Sequence, residues 1–345
     1  MAHPAARART TGTHATDTGT DTDTGTDTDT DTGTGTHAGT TGSHARADAR
    51  RTHTAADDDV ARRLLDSAAT LSYDPAVEID WEAPLPPEHY GLNPEWSTLY
   101  GTALWAEMTE EQRVTLTRHE VCSIMTTGIW FEMILQQMVL RDQYLKDPAS
   151  AEFQFALTEI ADECRHSIMF ARACEKMGVP QYKPNRLIAQ AGRAYKALAR
   201  GELAYGGILV AEEVLDVMQR DWMRGENVLE IVRGTSRIHV VEESRHMKFA
   251  RQEIRERLRG AGAARRRASA TGIAAGAFVI VSSMVHPGVY AAAGLDVGRA
   301  LAEARASEHR RAMMRTSSRH LMAFLAETGL LTRASAAVYR RIDML

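Results

Sequence analysis

Two stretches of this 345-residue chain share one pattern: an acid, a Glu, any residue, an Arg and a His. They are Asp162-Glu163-Cys164-Arg165-His166 and Glu242-Glu243-Ser244-Arg245-His246. Residues three apart on a helix project from one face. Each stretch therefore offers a carboxylate and an imidazole to the same point in space. Two such helices, with one further Glu from each of two others, form the ligand pattern of di-iron and di-manganese carboxylate bundles. His239 lies four residues before Glu243 and seven before His246, positions that share one narrow helical face. Oxygen and imidazole ligands suit iron or manganese better than a metal that prefers thiolate. Iron is the expected metal, with manganese as a substitute.

The two further Glu residues are chosen by helical position. Val121, Met125, Gly128, Leu135 and Val139 mark one apolar stripe, and Glu132 lies on it while Glu120 lies off it. A Glu in the middle of an apolar stripe is costly unless paired or metal-bound. The stretch 202–224 offers adjacent Glu212 and Glu213. Its stripe runs through Ala204, Ile208, Ala211, Leu215, Met218 and Trp222. At about 100° per residue, Glu212 borders this stripe and Glu213 points nearly opposite. The expected ligands are Glu132, Glu163, His166, Glu212, His239, Glu243 and His246. Asp162 and Glu242 are either solvated acids or acceptors that fix a ligand imidazole. Arg165 and Arg245 could pair with those acids, and Asp216 lies one turn from Glu212 on the same side.

These residues need helices to carry them, and helical periodicity dominates from Asp57 onward. Thr109-Glu110-Glu111-Gln112 has the form of a capping box, opening a helix towards Lys146. Asp147-Pro148 reads as a cap with proline at the first helical position, opening a helix that runs to Gly178. Further helices are expected over 184–200, 202–224, 227–259, 271–285 and 296–328, with a short one to the end. Residues 73–100 carry five prolines and several aromatics and read as an ordered arm. No segment alternates with period two, so the class is all-α: a ferritin-like helical bundle with additional helices. The domain is expected over 57–345. Residues 1–56 repeat Thr, Asp and Gly with almost no large apolar side chain, the composition of a disordered tail.

The formal net charge is −4, which argues against nucleic acid as a partner. The basic run Arg257-Leu258-Arg259 and Arg265-Arg266-Arg267 reads as solvated. Cys122, Cys164 and Cys174 sit in helical patterns without a CxxC and read as reduced core residues of a cytoplasmic protein. The apolar run 271–285 is short for a membrane span of about 20 residues, so a core helix and no membrane are expected.

DECRHS at 162–167, AEEVLDVMQRD at 211–221 and HVVEESRH at 239–246 resemble the p-aminobenzoate N-oxygenase family of di-iron enzymes. STLYGTALW at 97–105, RHE at 118–120 and GIWFE at 128–132 are similar to it as well. The resemblance covers roughly 75–330. It implies that the seven residues above hold two irons and that an amine, in some members an arylamine, is oxidised with O2 to hydroxylamine, nitroso or nitro products, usually in natural-product biosynthesis. Electrons must come from an external donor or reductase, since no G-x-G-x-x-G after a strand is present. A homodimer is the expected assembly. The rivals are a di-iron C–H hydroxylase or desaturase, a ferritin-like ferroxidase, and a radical-generating subunit using Tyr195 or Tyr205.

Overall fold

The computed structural model describes residues 55–345. The tail expected over 1–56 lies outside them, except for its last two positions, which open the first helix. That helix, α1 (Ala55–Thr70), is followed by the arm, which contains one helical turn, α2 (Pro75–Glu78), and a 3-10 turn over Pro94–Trp96. The arm is ordered by its own large side chains. Leu92 and Leu99 are fully buried, and the Trp81 ring lies under the Arg172 guanidinium at 4.1 Å. Gly91 lets the arm touch the next long helix; a Cβ there would come within 2.4 Å of the Arg118 backbone.

After the short α3 (Ala103–Glu107), α4 (Glu110–Gln143) begins at the expected capping box, with Thr109 and Gln112 exchanging bonds. The cap of α5 (Ala151–Lys176) is not Asp147 as expected. Asp147 turns back to accept from the Ala149 N–H at 3.0 Å, and Ser150 caps the helix through the Phe153 N–H at 3.2 Å. Gly178, with φ +66°, stops it. Then come α6 (Arg186–Leu198), α7 (Glu202–Trp222) and α8 (Glu230–Arg257). The expected 271–285 helix starts earlier, as α9 (Ala263–Ser283), and leads through His286-Pro287 into α10 (Gly288–Ala292). The single helix expected near 296–328 is two, α11 (Val297–Ala306) and α12 (Glu308–Glu327). They break at Ser307, which leaves helical geometry and caps α12 through the Arg310 N–H. The chain closes with α13 (Arg333–Arg341).

The architecture is all-α, and among the described residues the one β-type pairing is an isolated bridge between Tyr90 and Val228. Neighbouring pairs α4–α5, α5–α8, α8–α7 and α7–α4 close a four-helix bundle. The other helices wrap it: α1 covers α5 and α8, α12 covers α7, and α9 lies against α6, α7 and α13. The segment Ala263–Ala292 is long and apolar enough to cross a membrane, but half of its most apolar window is buried within the protein. That placement fits the core-helix reading. Core side chains such as Trp222, Phe155 and Phe170 fill the bundle, each contributing about 1.5–3 kcal/mol on burial. Cys122 and Cys174 are buried as expected; Cys164 is exposed on the outer face of α5, contrary to its expected core position.

Candidate metal centre

The bundle brings all seven expected ligands to its middle: Glu132 from α4, Glu163 and His166 from α5, Glu212 from α7, and His239, Glu243 and His246 from α8. All seven are buried. Their ligand-type atoms fall into overlapping sets, each within 4.8 Å: Glu132–His166–His239, Glu163–His166–Glu243 and Glu212–His239–Glu243.

Each imidazole has one nitrogen held from behind and the other turned inward. His166 Nε2 lies 2.7 Å from Glu242 Oε2, leaving Nδ1 3.5 Å from Glu163 and 3.3 Å from Glu243. His246 Nε2 lies 3.2 Å from Asp162 Oδ2, with Nδ1 3.0 Å from Glu243 and 3.2 Å from Glu163. The two motifs thus exchange partners. The acid of α5 holds the histidine of α8, and the acid of α8 holds the histidine of α5. An N–H donated to a carboxylate fixes the tautomer and orientation of a metal-ligating imidazole, and Asp162 and Glu242 stand where such acceptors would be. They are held in turn by Arg165, which pairs with Asp162, and by Arg245, 3.5 Å from Asp162 and 3.9 Å from Glu242. The start of the arm adds the Tyr73 N–H, which donates to Glu242 at 3.0 Å.

His239 is held by a residue that the sequence did not suggest. Its Nδ1 lies 2.7 Å from Gln219 Oε1 on α7. Its Nε2 faces Glu132, Glu212 and Glu243 at 3.9, 3.9 and 3.8 Å. Asp216, expected near the site, instead pairs with Arg220 at 2.7 Å; Gln219 stands where an acceptor is needed. The choice between the adjacent acids of α7 is also visible. Glu212 points to the cluster, whereas Glu213 faces away and pairs with Arg251 at 2.5 Å.

Glu159 was missed altogether. It is fully buried one turn before Glu163, and it forms a set within 4.8 Å with Glu163 and His246. The signal was present: a spacing of four puts it on the ligand face. Neither oxygen of Glu159 has a hydrogen-bond partner, and the same holds for both oxygens of Glu163 and for one each of Glu132, Glu212 and Glu243. Ser167 holds the other oxygen of Glu132. Carboxylate oxygens buried without donors are a costly arrangement for a protein alone. The donor set fits divalent cations that favour oxygen and imidazole.

The protonation pattern follows. Burial raises Glu132 and Glu212 well above the usual carboxylate range, with Glu163 adding to the rise in Glu132 and Glu243 to that in Glu212. Burial pushes Glu159 up to about 8. For Glu243 burial acts upward too, but His246, His166 and His239 outweigh it and hold it well below that range. Burial opposes charge on His166 and His246, yet their carboxylate partners raise both. Burial lowers His239 to about 4, leaving it neutral and able to donate a lone pair. Tyr195 and Tyr205 do not join the cluster; their hydroxyls bond to the Leu203 carbonyl and to Asp142.

A sequence model described as "P-aminobenzoate N-oxygenase AurF" matches residues 54–329. Relatives include uncharacterized proteins of Mycobacterium bovis and Mycobacterium tuberculosis, 27% identical over 227 residues. Those matches span 61% of this chain and 65% of the relatives' length. With four helices meeting at a buried Glu/His cluster and the family match spanning most of the chain, the protein belongs to the p-aminobenzoate N-oxygenase AurF family of di-iron enzymes.

Proposed function

We propose that Glu132, Glu163, His166, Glu212, His239, Glu243 and His246 hold two irons, and that the protein uses O2 to oxidise the nitrogen of an amine, an arylamine in particular. One observation carries the metal assignment: three imidazoles, each fixed at one nitrogen, turn the other towards a cluster of carboxylates in which several oxygens have no hydrogen-bond partner. Bound iron would supply the redox chemistry with O2 that side chains lack. The chain's own residues do the rest. Asp162, Glu242 and Gln219 aim the imidazoles. Phe131, Leu215, Ile280 and Met284 wall a small cavity of about 20 Å³ beside Glu132, Glu212 and His239, room for little more than one water. Electrons come from a separate donor.

The test is reconstitution with Fe(II). About two irons per chain are expected, with large loss in the joint variant His239→Ala/Glu243→Ala. Iron binding that this variant leaves intact would overturn the metal assignment. Turnover of arylamines with O2 and a reductant should give N-oxygenated products; hydroxylation at carbon instead would favour the C–H hydroxylase reading.

A further inference from the structure

A second cavity, of about 280 Å³, lies between α4, α6, α7 and α9 and reaches Glu212. It shares Phe131, Ala211, Glu212 and Ile280 with the small cavity at the metal centre. At its outer end Ala194, Leu198 and Ala275 are exposed. Its wall is hydrocarbon. Among the lining residues there is no Lys, Arg, His, Asn or Gln, and Glu212 at the inner end is the one charged group. The other polar side chain, Tyr195, already donates its hydroxyl proton to the Leu203 carbonyl at 2.7 Å. Gly207 and Gly276 let Tyr195 pack close against them, since a Cβ on Gly207 would come within 2.5 Å of its hydroxyl and one on Gly276 within 3.1 Å of its ring.

We propose that this cavity selects an uncharged aromatic amine whose far end is hydrocarbon, and that it discriminates against carboxylated arylamines; this rests on the oxygenase reading above. The amine then meets Glu212 and the metal centre, because the two cavities share Phe131, Ala211, Glu212 and Ile280 as a common wall. The remainder of the substrate then lies along apolar side chains. A ring carboxylate would be stripped of water with no cation or amide to receive it, a strongly unfavourable transfer. A hydrocarbon substituent gains instead, roughly fourfold in affinity per buried methylene. The volume is about twice the ~150 Å³ that accommodates benzene in an apolar protein cavity, which leaves room for a ring and a short chain. An aromatic amine also keeps its nitrogen lone pair free at neutral pH, as oxidation at nitrogen requires.

The experiment is calorimetric titration of the iron-reconstituted full chain with butylbenzene, p-butylaniline and p-aminobenzoate. Both butyl compounds should bind, with p-aminobenzoate about 100-fold weaker or worse than p-butylaniline. Equal or tighter binding of p-aminobenzoate overturns the proposal. Ala275→Trp, at the exposed rim, should weaken butylbenzene about tenfold or more with the far-UV spectrum unchanged; unaltered affinity would place the hydrocarbon elsewhere and also overturn it. Products then separate the two readings. If p-butylaniline binds and its nitrogen is never oxidised, the oxygenase reading fails and the cavity's preference stands. If p-aminobenzoate is preferred and N-oxygenated, the cavity proposal fails and the oxygenase reading stands.

Discussion

The same helices bury two clusters of ionisable groups, and they are built on opposite principles. In one, Arg257 Nη2 lies 2.5 Å from both Glu253 and Asp142, Lys146 pairs with Glu152, and Tyr205 bonds to Asp142 at 3.3 Å under the Arg257 guanidinium. Three acids there meet two bases. In the other, Glu132, Glu159, Asp162, Glu163, Glu212, Glu242 and Glu243 surround three imidazoles, with Arg165 and Arg245 as the fixed cations beside them among the described residues. In the first cluster every acid lies against a cation, and the cluster supplies structure. The second leaves carboxylate oxygens without donors, a charge that bound cations would balance under the proposed function. Burial of charge alone therefore does not mark the functional site; unbalanced burial does.

The contrast can be tested by removing charge from each cluster. Arg257→Ala removes the closest cation from Glu253 and Asp142 and leaves Lys146 4.0 and 3.7 Å away, so it should cost about 3–5 kcal/mol in denaturant unfolding while leaving iron stoichiometry unchanged. A simultaneous loss of iron would show that the two clusters are not independent.

Glu159→Gln should do the reverse and stabilise the metal-free protein. Burial raises this carboxyl to about 8 from its ordinary 4.5. Between those values the folded state keeps a proton that the unfolded state has released, so stability falls as pH rises. The amide removes that fall, and the gain should be roughly 4 kcal/mol at pH 8 but under about 1 kcal/mol at pH 5. Equal gains at the two pH values would mean that burial does not hold the proton on Glu159.

Gln219→Leu frees the His239 ring from its acceptor. Loss of such a partner typically lowers metal affinity about 10–100-fold, measurable by competition with a chelator; unchanged affinity would make the Gln219 contact incidental. The smallest effect is expected for Glu213→Gln. That buried carboxylate pairs with a partly exposed Arg251, and the amide oxygen can still accept from the guanidinium, so stability should fall by about 1 kcal/mol and iron binding not change. Loss of iron in this variant would reverse the assignment of Glu212 over Glu213.

Much of this was legible in the sequence because the signals are short-range. Helical spacing alone put Glu132, Glu163, His166, Glu212, His239, Glu243 and His246 on inward faces, and it separated Glu212 from Glu213 by their angle to an apolar stripe. The Thr109–Gln112 cap was readable for the same reason. Local competition produced the errors. Asp147 and Ser150 are both good caps, and the hydroxyl at Ser150 takes the role. Ser307 divides a pattern whose apolar period continues through it. Glu120 shows the limit of stripe reasoning. It lies off the metal face yet is buried, because Thr98 of the arm folds over it and bonds to it at 2.9 Å.

The sequence by itself determined the fold class, the helices and the residues that face inward, since periodicity and capping depend on neighbours three or four positions apart. Only the tertiary structure decided which inward groups meet. The exchange of Asp162 and Glu242 between helices, the choice of Gln219 over Asp216, the inclusion of Glu159 and the hydrocarbon wall beside Glu212 all depend on the rotation and register of one helix against another. Those are fixed by side-chain packing across the bundle, which no local pattern encodes.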